Sequence, residues 1–109
     1  MKLPNPERAV IAQEKLTGYL LNTAHKRGGP KARLLELFGY RAADWQQLAD
    51  ALRAQLETEV EEVRLTAYGI RYEVRLILQT PRNRPLTVRT VWQVDEGTDF
   101  PRLITLYPD

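Results

Sequence analysis

The chain has no cysteine, one histidine and one methionine among its 109 residues. The missing thiols exclude disulfides, thiolate metal sites and cysteine nucleophiles. A single histidine rules out a multi-histidine metal site within one chain, so no metal site is expected and no cofactor either. Charge of one sign is also scarce. The 16 Lys and Arg stand against 14 Asp and Glu, and a formal net charge of +2 is too weak to mark a nucleic-acid binder by itself. No apolar run approaches the length of a membrane helix, and the start, "MKLPNPERAV", is broken by prolines where a signal peptide would be apolar. A cytoplasmic protein without membrane contact is the expectation. What remains is an ordinary globular balance, 43% apolar and 28% charged, at a length suited to a single domain over 1–109.

Three helices are predicted first. Between Gln13 and Asn22, the residues Leu16, Tyr19 and Leu20 fall at i, i+3 and i+4, a short amphipathic stripe. Pro30 suits the first turn of a second helix that points Leu34, Leu35 and Phe38 inward and stops at Gly39. Asp44 is placed to cap a third, with Gln47 at the capping-box position. The stripe of that helix is Trp45, Leu48, Leu52 and Leu56, and its end is expected near Glu57.

The apolar period then falls from near four to two. "VRLTAYGIRYEVRLIL" reads as a hairpin about Tyr68-Gly69, pairing Ala67 with Ile70, Leu65 with Tyr72 and Val63 with Val74. That register also sets Arg64 against Glu73 and Glu62 against Arg75. After "PRNRP", aligning Leu86 with Leu78 puts Val88, Thr90, Trp92 and Val94 on the same apolar face, with Tyr72 also packed there. "RLITLY" alternates poorly. Ile104 and Leu106 are expected inward, with Thr105 and Tyr107 outward near Arg89. The fold class is therefore α+β, with three N-terminal helices packed on one face of a four-stranded antiparallel meander and everything from about Val60 to Tyr107 antiparallel.

"KLTGYLLN" (Lys15–Asn22), His25 with its glycines and Lys31-Ala32, Phe38-Gly39, Tyr68-Gly69, "RTVW" (Arg89–Trp92) and "PRLITLYP" (Pro101–Pro108) together resemble a small bacterial family of unknown function. Members of that family occur as free-standing proteins and as C-terminal domains of toxin-like or phage-associated proteins. The resemblance implies no established activity. Helices followed by a four-stranded antiparallel sheet also resemble the small RNase-toxin superfold of barnase-like and RelE-like proteins, a likeness at the level of fold.

Chemistry concentrates in "NTAHKRGGPKAR", Asn22 to Arg33. Gly28 and Gly29 allow close backbone approach, and the following helix start presents amides to an anion, less the one that Pro30 lacks. Lys26, Arg27, Lys31 and Arg33 add positive charge. A sulfate or phosphate is expected at Gly29–Lys31. Cleavage of RNA needs a base, an acid and cations on the phosphorane. His25, as the one side chain that ordinarily titrates near neutrality, is the acid–base candidate, with Lys31 and Arg89 on the phosphate. Thr105 and Tyr107 are candidates for the second titrating group. In the bland alternative the segment is a solvated interhelical loop. On the outer face Arg75 falls opposite Arg89, a like-charge pair that would suit an anionic partner unless acidic side chains reach it. Glu59, Glu61 and Glu62 read as solvated surface. Two readings follow, with enzymatic activity left open between them. One is a metal-independent, RNase-toxin-like domain binding RNA or another phosphate ligand at His25, Lys31 and Arg89. The other is a non-catalytic binding or assembly module, meeting a protein partner or a second copy through a sheet edge.

Overall fold

The computed structural model describes all 109 residues, Met1–Asp109. Three helices precede a four-stranded antiparallel sheet. α1 (Gln13–Lys15) runs directly into a π-helical turn over Leu16–Leu20, and α2 spans Gly29–Leu37. A 3-10 turn at Ala42–Asp44 leads into α3 (Trp45–Arg53). The strands β1 (Val60–Thr66), β2 (Gly69–Gln79), β3 (Pro85–Asp95) and β4 (Arg102–Pro108) lie side by side in chain order.

The third helix departs from expectation at both ends. The Asp44 side chain caps nothing, because Asp44 closes the 3-10 turn, and its carboxylate faces Arg41 at 3.9 Å instead. The helix also stops at Arg53, short of Glu57, although Leu56 is still buried in the turn that follows.

One apolar core joins the helices to the sheet. Leu16 and Leu20, Leu35, and Leu48 with Leu52 meet the inward row Tyr72, Val74, Leu76 and Leu78 of β2 and Val88 and Trp92 of β3. The register of β2 on β3 is as the alternation predicts, with Leu78 opposite Leu86 and Tyr72 opposite Trp92. Thr90 is the one polar side chain in that inward row of β3. It is fully buried, accepts the Trp92 indole N–H at 2.8 Å and donates to the Val74 carbonyl at 2.8 Å, so neither group is left unpaired.

The β1–β2 hairpin is shifted from the predicted register. Thr66 pairs with Gly69, Leu65 with Ile70 and Val63 with Tyr72, and an irregularity after Val60 sets that residue opposite Val74. The loop is Ala67-Tyr68. Gly69 is a strand residue at φ 145°, where a side chain would collide with the Val94 carbonyl. Moving the loop by one residue changes each partner by two, so every side chain keeps its face and the apolar pattern cannot tell the two registers apart. The charge pairs do change. Glu62 lies opposite Glu73 and Arg64 opposite Arg71, and Arg64 bridges the two glutamates at 3.1 and 3.0 Å.

β4 carries a bulge. Leu103 opposes Trp92 and Thr105 opposes Val91, with Ile104 as the extra residue. Leu103 and Leu106 therefore point inward, and Ile104 does not take the buried place expected of it. The N-terminal segment adds an isolated parallel bridge from Val10 to Arg102 and an antiparallel one from Lys2 to Glu59.

These positions differ sharply in what they contribute to stability. Leu52 is fully buried, whereas Leu65 is 81% exposed although it faces the inward side, because no helix reaches that end of the sheet. The Tyr40 hydroxyl is buried without a hydrogen-bond partner. In urea unfolding, Leu52→Ala should cost about 2–5 kcal/mol. Leu65→Ala should change stability by less than about 0.5 kcal/mol. Tyr40→Phe should be stabilising by roughly 1 kcal/mol, since it removes an unsatisfied polar atom. A large loss for Leu65→Ala would contradict the placement of the helices.

Candidate functional site

The segment from Asn22 to Arg33 folds around its own histidine. His25 Nδ1 accepts hydrogen bonds from the amides of Arg27 and Gly28 at 3.0 and 2.9 Å, and the His25 carbonyl accepts the Gly29 amide at 2.8 Å. The amides of Arg27 and Gly28, and that of Gly29 at the expected anion site, are thus turned inward, and Pro30 has none to offer. Of the Gly29–Lys31 stretch only the Lys31 amide is without a backbone partner, so an anion here is left chiefly to side chains. With Nδ1 already an acceptor, the neutral ring carries its proton on Nε2, and Nδ1 is not free to take one from a substrate. Gly28 makes the closest approach: a side chain there would collide with the backbone and ring of Tyr19. The loop therefore lies against Tyr19, and the His25 ring meets the Tyr19 ring edge-on with centroids 5.0 Å apart.

Tyr19 joins the loop to the sheet. Its hydroxyl lies 3.2 Å from Thr105 Oγ1, and Lys31 Nζ donates to both, at 3.2 Å to Tyr19 and 2.8 Å to Thr105. Lys15 Nζ sits 5.5 Å from the centre of the same ring. Lys15, Tyr19, His25, Arg27, Ile104 and Thr105 line a cleft of about 440 Å³. None of Lys15, Lys26, Arg27, Lys31 or Arg33 forms an ion pair, nor do Lys2, Arg53, Arg71, Arg82 and Arg84 elsewhere, whereas Arg8, Arg41, Arg64, Arg75, Arg89 and Arg102 all do. Arg33 instead donates to the Thr23 carbonyl. The hydrogen bond with Thr105 holds the Tyr19 phenol below its usual range; burial opposes this, and Lys31 and Lys15 reinforce it.

Arg89 belongs to a second cluster, on the outer face of the sheet. Cross-strand pairing sets Glu73, Val91 and Thr105 in one row and Arg75, Arg89 and Tyr107 in the next. The like-charged pair Arg75 and Arg89 is real, but it is neutralised. Asp109 Oδ2 lies 3.0 Å from Arg75 Nε and 3.4 Å from Arg89 Nε, and Glu73 reaches Arg89 at 3.4 Å. The pair by itself therefore does not call for an anionic partner. Glu73 is only 7% exposed and also binds Arg64 at 3.0 Å and accepts from the Tyr107 hydroxyl at 2.9 Å. Burial would push its carboxyl up. Hydrogen bonds from Tyr107 and Arg89, and a contact shared with Glu62, outweigh that and hold the group below the usual carboxylate range. Burial and the Glu73 carboxylate push the Tyr107 phenol up, so the proton stays on the phenol.

The structure therefore brings His25, Arg27, Lys31 and Thr105 together around Tyr19, and sets Arg75, Arg89 and Tyr107 together around Glu73 and Asp109. Thr105 and Tyr107 connect the clusters, being two residues apart on one face of β4, about 7 Å along the strand. Lys26 stands exposed beside the first cluster. Tyr19 and Glu73 were not among the expected site residues. Tyr19 reads as one more member of an apolar stripe, and Glu73 as one half of a surface ion pair. The signal for Glu73 lay in its position, a carboxylate in an interior strand between Tyr72 and Val74.

A family model for a domain of unknown function, DUF6883, matches residues 2–109. The chain belongs to this family. No curated protein matches the DUF6883 sequence described here. Among solved structures, this DUF6883 domain is similar to a chain of the "Contact-dependent growth inhibition toxin - immunity protein complex from Klebsiella pneumoniae 342", with a TM-score of 0.72 and 14% sequence identity. The alignment covers 92% of this chain and 99% of that one. At that identity the likeness is one of fold.

No group of three or more His, Asp or Glu side chains is assembled so as to hold a metal ion, and no helix is long and apolar enough to cross a membrane. The cleft is testable through its phenol. Among the five tyrosines, Tyr19, followed by NMR of ring-labelled protein, should titrate below the ordinary value near 10. Thr105→Val and Lys31→Met should each move it upward. An unshifted Tyr19, or one indifferent to both substitutions, would contradict the contacts described.

Proposed function

We propose that this domain is a toxin-type ribonuclease that binds single-stranded RNA along the β4 side of the sheet and cleaves it by attack of a ribose 2′-hydroxyl on the adjacent phosphate. The observation that carries this reading is the cationic cleft. Lys15, Arg27 and Lys31 gather at Tyr19 and Thr105 with no carboxylate to neutralise them, while the arginines of the neighbouring cluster are all paired. A phosphodiester supplies the missing charge. The same fold occurs in a chain of a toxin–immunity protein complex, which links the fold to toxin systems by analogy.

Glu73 is the base in this reading. In the free protein it is occupied by Arg64, Arg89 and Tyr107. A phosphate entering beside Thr105 competes for Arg89, and a carboxylate that loses a counter-ion becomes more basic. Glu73 then takes the 2′-hydroxyl proton as the 2′-oxygen bonds to phosphorus. Lys31 and Arg89 stabilise the phosphorane. The bond to the 5′-oxygen breaks as that oxygen receives a proton from Tyr19, whose phenol is already the more acidic for its contacts. The products are a 2′,3′-cyclic phosphate and a 5′-hydroxyl end. His25 is a positioning residue here, shaping the loop that carries Arg27 and Lys31.

Purified protein incubated with mixed-sequence single-stranded RNA should generate those ends with or without EDTA, since none of these steps uses a metal. Glu73→Gln, Lys31→Ala and Arg89→Ala should each lower the rate by about a hundredfold or more. His25→Ala should cost less, because the ring acts through the loop. Absence of cleavage, or a rate unchanged in Lys31→Ala, would leave the non-catalytic binding module as the better reading.

A further inference from the structure

The sheet edge opposite the cationic cleft is unfinished. β1 is an outer strand, and the N-terminal segment covers only its start, through the Lys2–Glu59 bridge and the Val60 amide donating to the Met1 carbonyl. From Glu61 to Thr66 the outward backbone groups have no strand beside them. The irregularity at Glu61 and the charges of Glu61, Glu62 and Arg64 guard the start and middle of this edge, and Leu65-Thr66 at its end has neither charge nor Pro. Four of the eight large apolar side chains that the molecule exposes lie at the turn end of this one hairpin: Val63, Leu65, Tyr68 and Ile70. Beside them is a cleft of about 420 Å³ with an apolar floor of Leu65, Ile70 and Val94. The charged side chains lining it, Asp95 and Glu96, are both acidic in a chain of net positive charge. Asp95 is paired with Arg102, and Glu96 has no ion pair.

We propose that β1 and this cleft dock an extended segment of a partner protein, apolar on one side and basic at its flanks, which adds a fifth strand to the sheet. Main-chain hydrogen bonds along Glu61–Thr66 supply the pairing, an apolar anchor fills the cleft over Leu65 and Ile70, and a Lys or Arg meets Glu96. A second copy of this chain fits less well. Two β1 strands paired antiparallel about Arg64 set the two Arg64 side chains together. About Val63 they set Arg64 against Glu62 but Leu65 against Glu61, and about Leu65 they set the two Leu65 side chains together. In each the strand's one base, Arg64, lies near its centre, leaving none at a flank for Glu96. This inference does not depend on the ribonuclease reading: the pairing uses the backbone of Glu61–Thr66, and the surface meets that site only through the Arg64 side chain on Glu73.

The test uses the full chain labelled with ¹⁵N and two capped synthetic peptides as long as β1, one alternating Val and Lys, the other Val and Glu. The Val–Lys peptide should shift the amides of Glu61–Thr66 and Val94–Thr98 and bind at least tenfold more tightly than the Val–Glu peptide. Leu65→Glu, at a position exposed enough to leave folding intact, should weaken that binding tenfold or more, and Lys31→Ala should leave it unchanged. Equal binding of the two peptides, shifts confined to other surfaces, or a stable homodimer through β1 in the absence of peptide would overturn the proposal.

Discussion

The two-residue period of β3 is the constraint on which the rest depends. Its inward row, Val88, Thr90 and Trp92, is sealed into the core, and Thr90 ties the Trp92 indole to the backbone of β2. Its outward row, Arg89, Val91 and Gln93, is thereby committed to the other face. Once Trp92 is fixed, the polar side chains of β2 and β4 have nowhere else to gather. Glu73, Tyr107 and Thr105 come to Arg89 and Val91 because pairing with β3 puts them there.

The two edges of the sheet are finished in different ways, and each bears a different chemistry. At β4 the bulge at Ile104 and the reach of Tyr19 and Lys31 to Thr105 bring helix and loop residues to the strand. The result is a cleft rich in positive charge, floored by a phenol that its neighbours make more acidic. At β1 the helices end too soon, and apolar side chains that alternation assigns to the core are left uncovered. The ligands proposed for the two edges follow this difference: an anion at the first and a protein strand at the second.

Much of this was legible in the sequence. The change from helical to strand period marked the helix–sheet boundary, and the apolar alternation excluded a one-residue slip of β3 on β2, which would bury Arg89 and Gln93 in place of Val88 and Trp92. It could not set β1 on β2, since a shift of two keeps every face, and the decisive fact was the space Gly69 needs beside Val94. It could not foresee that Leu65 lies beyond the helices, which is a matter of helix length and placement. At the site, the cluster of cations was visible as composition. The use of His25 was not, because its ring turns back onto the amides of Arg27 and Gly28, a contact set by the Gly28–Tyr19 approach. Tyr19 and Glu73 were hidden by residue type, one counted as apolar filling and the other as half of an ion pair.

The central claim is that the cleft between the His25 loop and β4 is a phosphate site whose charge is supplied by side chains. A crystal structure of the protein grown with uridine 3′-monophosphate tests it most directly. The account predicts the phosphate in the cleft, with Lys31 Nζ turned from Tyr19 and Thr105 onto a phosphate oxygen, and Arg27 or Lys15 closing on another. A cleft left empty at saturating nucleotide, with Lys31 still held by Tyr19 and Thr105, or a phosphate bound at a different surface, would contradict it.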